Sequence, residues 1–199
     1  MPRPRQTSDE QILEAARATF LAEGPSASTA TIAESAGVSQ ALLFQRFGTK
    51  KQLLLTALLP SGPPPFIALL EAGPDARPLG EQMTELSMAI AHHLESVLPR
   101  FAVLAASGFA PQACFDKVNP SPPVMSHRAM SAWVERAQAA ELIRPCDPKS
   151  LASAWLGSLH ARAFASKVLG QALPGKSTDA YVADLIDLLT AGIAHEAQS

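Results

Sequence analysis

Residues 28–47 constrain this chain more than any other stretch, because two short apolar-periodic runs there flank a single glycine. Ser28 or Thr29 can cap a helix that carries Ile32, Ala33 and Ala36 on one side. Gly37 then supplies a residue able to take positive φ where that helix must stop. Ser39 restarts the chain as a second cap, and Leu42, Leu43, Phe44 and Phe47 form the next apolar face. Two helices joined by so tight a turn follow the grammar of a helix-turn-helix, whose second helix is held out to enter a DNA major groove. The same grammar also describes a glycine-bounded corner of two helices with no DNA partner, so the flanking sequence has to decide.

A helix is expected before this stretch. Thr7 or Ser8 caps it, Asp9 and Glu10 occupy its first turn, and Gln11 stands in capping-box position to Ser8. Ile12, Leu13, Ala16, Phe20 and Leu21 recur at three- and four-residue steps until Gly24-Pro25. Two helices as short as those around Gly37 bury too little surface to stand alone, and this amphipathic helix gives them a cover. After Gly48, Thr49 caps a fourth helix that opens Lys50-Lys51-Gln52 and continues as Leu53-Leu54-Leu55. Its unpaired backbone N–H groups beside two lysines suit a phosphate, while a surface lysine pair on an ordinary helix fits the sequence equally well. Arg3 and Arg5 form a basic arm that suits either solvent or a DNA groove.

The run from about Ser8 to Leu55 resembles the DNA-binding domain of the tetracycline-repressor (TetR) family of bacterial transcription regulators. The matching residues are Ile32-Ala33, Ala36-Gly37-Val38-Ser39, Leu43-Phe44, Phe47, and Lys50 with Leu53-Leu54. The chain departs from the family at Ala41, where Gly is usual, at Phe44, where Tyr is usual, and at Arg46, where Tyr or His is usual. Phe44 cannot donate a phenolic hydrogen bond to a phosphate; Arg46 can offer a charge-assisted one instead.

Pro60-Ser61-Gly62-Pro63-Pro64-Pro65 cannot continue a helix and sets the expected boundary, with a DNA-binding domain over 1–59 and a helical domain over 60–199. In the second part, a helix is expected from about Leu79 to Leu98, ended by Pro99, then a short apolar helix holding Phe101, Val103, Leu104 and Phe109. Pro111 to Pro123 reads as irregular, and Val124 to Leu142 as a helix. Asp147 caps the next helix, which has Pro148 in its opening position and runs to Gly170; Thr178 caps the last. Val182, Leu185, Ile186, Leu188, Leu189 and Ile193 crowd more than one face of that last helix, and the small residues Ala152, Ser153, Ala154, Gly157, Ser158 and Ala161 permit close approach on its neighbour. The pair reads as a dimer seam built from Leu151, Trp155, Leu159, Leu185, Leu188 and Leu189, as the family resemblance also implies, or else as a hairpin buried within one subunit.

The fold class expected is therefore all-α, since β-branched residues are too dispersed for alternating strands. At 199 residues the chain can bury a substantial core without disulfides. Its net charge of −2 does not advertise nucleic acid, so DNA binding has to rest on where cations sit. Cys114 and Cys146 lack any C-x-x-C or histidine partner spacing; they read as free thiols in a reducing compartment, with a thiol sensor or small helical enzyme as the alternative. No phosphate loop, G-x-S-x-G, H-E-x-x-H or acidic metal box occurs, so neither catalysis, a cofactor nor a metal site is expected. His92 and His93 point about 100° apart on a helix, and His127, His160 and His195 are scattered. No apolar run reaches a membrane span's length and no secretory signal opens the chain, which suggests a cytoplasmic protein.

The resemblance implies a ligand-responsive transcription regulator, a repressor, that binds a palindromic operator in double-stranded DNA as a homodimer, with a ligand-independent DNA binder as the alternative. Gln40 is the main candidate for base reading, because an amide can make a bidentate contact to adenine. Ala41 and Leu42 suit thymine methyls, Ser39 caps the reading helix, and Phe44 packs against the DNA backbone or under the helix. Thr29, Arg46, Thr49 and Lys50 are the candidate phosphate contacts. A cavity for a small apolar effector is implied in the C-terminal half, with Phe66, Met88, His92, Phe101, Trp133, Trp155 and Phe164 as candidate liners.

Overall fold

The computed structural model describes residues 7–60, 62–110, 120–171 and 175–193. All regular structure among these residues is helical: α1 (Asp9–Glu23), α2 (Thr29–Ser35), α3 (Gln40–Phe47), α4 (Lys50–Leu58), α5 (Ile67–Ala72), α6 (Leu79–Ala106), α7 (Pro122–Ala139), α8 (Pro148–Lys167) and α9 (Thr178–Ile193). Arg3, Arg5, Cys114, His195 and most of the segment read as irregular before Pro123 lie outside the described residues. None of the described helices is long and apolar enough to cross a membrane.

The chain divides into two compact units, the first built from the residues up to Pro60 together with 99–110, the second from 62–98 and the described residues from Pro120 on. In the first unit, α1 begins as its sequence dictates. Ser8 Oγ accepts from Gln11 N, and Gln11 Oε1 accepts from Ser8 N in return, closing a capping box. Ile12, Ala16 and Phe20 then point inward with no exposed surface, against Ile32 and Ala33 of α2, Leu43 of α3 and Leu53, Leu54, Ala57 and Leu58 of α4. Each fully buried Ile, Leu or Phe contributes roughly 1.5–3 kcal/mol. That burial is what holds a seven-residue α2 in place, since so short a helix is marginal in water.

The sequence predicts a helix end at Pro99, yet α6 runs through it to Ala106. Proline removes a ladder hydrogen bond and crowds the carbonyl four residues earlier, which costs about 3 kcal/mol in a helix interior. Beyond Pro99, Leu104 is buried in the core of the first unit, with Phe101, Val103 and Phe109 packed against it, and that burial offsets the cost. The division between units falls at this same proline.

The second unit has its own core, in which Phe66, Ile67 and Leu70 meet Met83, Leu86 and Ile90, Met130, Trp133 and Val134, Leu151, Trp155 and Leu159, and Val182 and Ile186. Trp133 and Trp155 pack edge to face with centroids 5.8 Å apart. The indole Nε1–H of Trp155 donates to Ser87 Oγ at 2.8 Å, so neither buried polar group is left unpaired. Asp147 accepts from Ser150 N at 2.7 Å as the cap of α8, with Pro148 inside the first turn. The last helix is capped by Ser177 rather than Thr178: Ser177 Oγ accepts from Ala180 N, while Thr178 Oγ1 donates to Glu95. Helix α7 starts at Pro122, two residues before the expected Val124, and stops at Ala139 rather than Leu142. There Glu141 adopts φ +59°, and Leu142 N donates to Ala137 O, turning Ile143 into the core.

Candidate nucleic-acid interface

The turn between α2 and α3 is closed by backbone chemistry that only a left-handed residue permits. Gly37 has φ +66°, Gly37 N donates to Glu34 O at 3.0 Å, and Val38 N donates to Ala33 O at 2.9 Å. These are the two bonds of a Schellman ending, and they satisfy carbonyls that α2 would otherwise leave open. Ser39 Oγ then accepts from Leu42 N at 3.1 Å and starts α3 one residue later.

Helix α3 presents two unlike sides. Leu43 is completely buried, while Gln40, Ala41, Phe44 and Gln45 are exposed. These four recur at the one- and four-residue steps that place side chains on one face of a helix. Leu42 lies half-buried at its margin. Phe44 is 40% exposed, a large apolar ring that the domain itself leaves uncovered. The Gln40 amide is held: its Nε2 donates to Thr29 Oγ1 at 2.7 Å, linking the first residues of α3 and α2. Gln45 was missed by sequence reasoning. Its signal was an amide four residues after Ala41 on the same face.

The cations around this face differ in what already occupies them. Arg46 Nη1 donates to Thr7 O at 2.7 Å and to Asp9 Oδ1 at 3.0 Å, and together they line an open depression at the start of α1 with Ser8. The guanidinium expected at a phosphate thus also ties α3 to the start of α1 through its Nη1. Lys51 Nζ lies over the Phe109 ring, 4.7 Å from its centroid. Among the described residues Lys50 makes no ion pair or hydrogen bond, which leaves its charge available at the N-terminus of α4. Thr49 is spent on the cap: its Oγ1 accepts from Gln52 N at 3.2 Å, and its own N–H donates to Gln52 Oε1 at 2.8 Å.

Of the seven candidate liners of a ligand cavity, four share one core and three lie elsewhere. Phe66, Trp133 and Trp155 are buried in the core of the second unit with Met88 packed against it. Phe101 packs in the core of the first unit, and His92 and Phe164 are exposed, Phe164 stacking on His160. Of the six seam residues, Leu151, Trp155, Leu159 and Leu185 turn into their own subunit's core and Leu189 is half-buried. Leu188 stands out at 72% exposed. Among the outward residues of α8 are Ala154, Gly157, His160, Ala161 and Phe164. Among the described residues no group of three His, Cys, Asp or Glu side chains could hold a metal, and Cys146 is a half-buried free thiol 3.4 Å from Gln138 Nε2.

A capped helix pair on a cover helix, with a polar-aromatic face turned outward and a separate helical unit attached, is the arrangement of a helix-turn-helix domain joined to a helical domain. Residues 12–57 match the sequence model of the bacterial regulatory proteins of the tetR family. Over this domain the chain is similar to that family. The fold of the whole chain agrees. A protein of Mesorhizobium loti assigned to the same family shares it with a TM-score of 0.71 at 16% identity, over 94% of this chain and 96% of that one. A TetR family transcriptional regulator from Pseudomonas syringae pv. tomato reaches 0.61 at 22% identity, over 96% and 98%. SmeT, solved as its triclosan complex, reaches 0.65 at 20% identity, over 96% and 93%. At these identities the likeness is one of fold.

Proposed function

We propose that this chain is a ligand-responsive repressor that binds a palindromic operator as a homodimer. The observation that carries the reading is the outward face of α3, where Gln40, Ala41, Phe44 and Gln45 stand clear of the core between two capped helix starts. An amide pair reads base edges, an exposed aromatic ring and an alanine methyl suit thymine methyls or sugar, and unpaired Lys50 suits a phosphate. Thr29 and the backbone around Thr49 complete the phosphate contacts. Arg46 acts as the strap that fixes the angle of α3.

Pairing through α8 and α9 is supported by the exposed Leu188 and by the small residues Ala154, Gly157 and Ala161, over which a partner helix can approach closely. A two-fold dimer would set its reading helices about 34–36 Å apart, one turn of B-DNA. The effector is a small apolar molecule acting on the second unit, whose fold is shared with SmeT. It would release DNA to the extent that it prefers a different spacing of the reading helices.

The test is selection of duplexes from a random-sequence library by the full-length chain, followed by gel retardation on the enriched sequence. A palindromic motif bound by a dimer supports the reading; enrichment of no sequence overturns it. Adding triclosan as a first apolar probe, with thermal unfolding followed alongside, then tests ligand response.

A further inference from the structure

We infer that Thr29 is a positioning residue for base reading: its hydroxyl fixes which edge of the Gln40 amide faces the DNA. The inference rests on the proposal that Gln40 reads a base, and adds a residue that sets how it reads.

A glutamine has three rotatable side-chain bonds and an amide whose two ends differ in chemistry, the carbonyl accepting and the NH2 donating. Left free on an exposed helix, such an amide can present either order of donor and acceptor. Here one hydrogen of Gln40 Nε2 is spent on Thr29 Oγ1 at 2.7 Å. That single bond has two consequences. The nitrogen is anchored on the α2 side, so Oε1 lies on the other side, and the remaining Nε2 hydrogen and Oε1 form one donor–acceptor pair in a defined order. Adenine in the major groove offers N7 as acceptor and the N6 amino group as donor, the complement of such a pair. Guanine offers two acceptors, N7 and O6, and satisfying both would take both Nε2 hydrogens, one of which Thr29 already holds.

The bond also orders the threonine. A hydroxyl has one hydrogen, and because Oγ1 accepts from Gln40, its own O–H is free to donate to an oxygen of the DNA backbone. Base reading and backbone docking are thereby joined through one hydroxyl, half-buried at the start of α2. Valine at this position keeps the shape and removes both functions, whereas serine keeps the hydroxyl and removes only the methyl group.

The test uses the full chain and the motif selected from the random library. Gln40→Ala first locates the base pair that Gln40 reads, as the position whose preference disappears. Affinities are then measured on two duplexes, one carrying adenine there and one carrying guanine, for wild type, Thr29→Val and Thr29→Ser. The expected result is that Thr29→Val lowers the adenine-to-guanine affinity ratio about tenfold, the low end of what a bidentate pair discriminates, and that Thr29→Ser restores it. The salt dependence of binding should be the same in all three, because no charge has changed. An unchanged ratio in Thr29→Val overturns the inference. So does an equal loss in Thr29→Ser, which would assign the effect to packing of the methyl group. If Gln40→Ala leaves every position of the motif intact, base reading by Gln40 itself fails, and the role of Thr29 falls with it.

Discussion

Gln40 Nε2 stands 2.7 Å from Thr29 Oγ1, so the first residue of α3 is held by the first residue of α2. The two residues are eleven apart in sequence, and the tight ending at Gly37 is what brings them together. On the proposed role of Gln40, a side chain anchored in this way would enter the groove with part of its rotamer entropy already lost, which favours specificity over adaptability.

Gln40 and Lys50 should separate specificity from affinity. Replacing Gln40 by Ala is expected to relax one position of the operator while leaving non-specific binding intact. Replacing Lys50 by Ala should weaken all sequences alike and reduce the salt slope by about one, the share of a single neutralised phosphate. Retardation assays at several salt concentrations distinguish the two patterns, and identical behaviour of both variants would contradict the assigned roles.

Arg46 is expected to act on stability more than on DNA affinity. The Asp9 carboxylate is largely exposed, so Asp9→Ala should cost less than about 1 kcal/mol. Arg46→Ala should cost more, because Thr7 O loses its donor as well. Thermal unfolding of both variants gives the order. A salt slope equal to wild type in Arg46→Ala fits a strap; a drop of about one would place the guanidinium on a phosphate.

Leu188 offers the simplest test of pairing. Its side chain is exposed on α9, so Leu188→Glu should leave the subunit folded and place charge at the centre of the proposed seam. Sedimentation velocity should show a dimer for wild type and a monomer for the variant, with loss of operator binding. A variant that stays dimeric would move the interface elsewhere.

Ser87 and Trp155 form a buried polar pair in the core of the second unit. Ser87→Ala strands the indole N–H and should cost about 1–3 kcal/mol. Combined with Trp155→Phe, the loss should be smaller than the sum of the single changes, because the second removes the group stranded by the first. Urea unfolding of the four proteins supplies the cycle.

Asp147 links stability to acid. The Ser150 hydroxyl and amide hold its carboxyl below the ordinary value, with Lys149 adding a smaller pull. A carboxyl lowered on folding stabilises the protein above its unfolded pKa of 3.8, and that contribution disappears as pH falls through the folded value. Asparagine caps a helix about as well as aspartate. Asp147→Asn should therefore unfold at a temperature close to wild type near neutrality and lose less stability on acidification below pH 3.8. Parallel acid sensitivities would remove this carboxyl from the explanation.

Much of the local grammar was legible without the structure, although the last helix is capped by Ser177 where Thr178 was expected. Ser8 with Gln11, Ser39, Thr49 and Asp147 with Pro148 stand as caps where hydroxyl, amide and carboxylate spacing places them, and Gly37 takes the positive φ that its position demanded. The all-α class and the helix pair of 28–47 follow from the same short-range rules. Tertiary packing decided what short-range rules cannot reach. Pro99 should stop a helix, but burial of Leu104, with Phe101, Val103 and Phe109 packed against the same core, offsets the missing hydrogen bond. Arg46 looks free in the sequence and is strapped to Thr7 and Asp9, residues nearly forty positions away. Leu185 and Leu188, three apart on α9, look alike as letters, yet one is buried and the other exposed. Periodicity gives the faces of a helix; only the neighbours packed against it settle which face meets the core, which side chain holds which, and therefore which groups of residues 28–47 remain free to meet DNA.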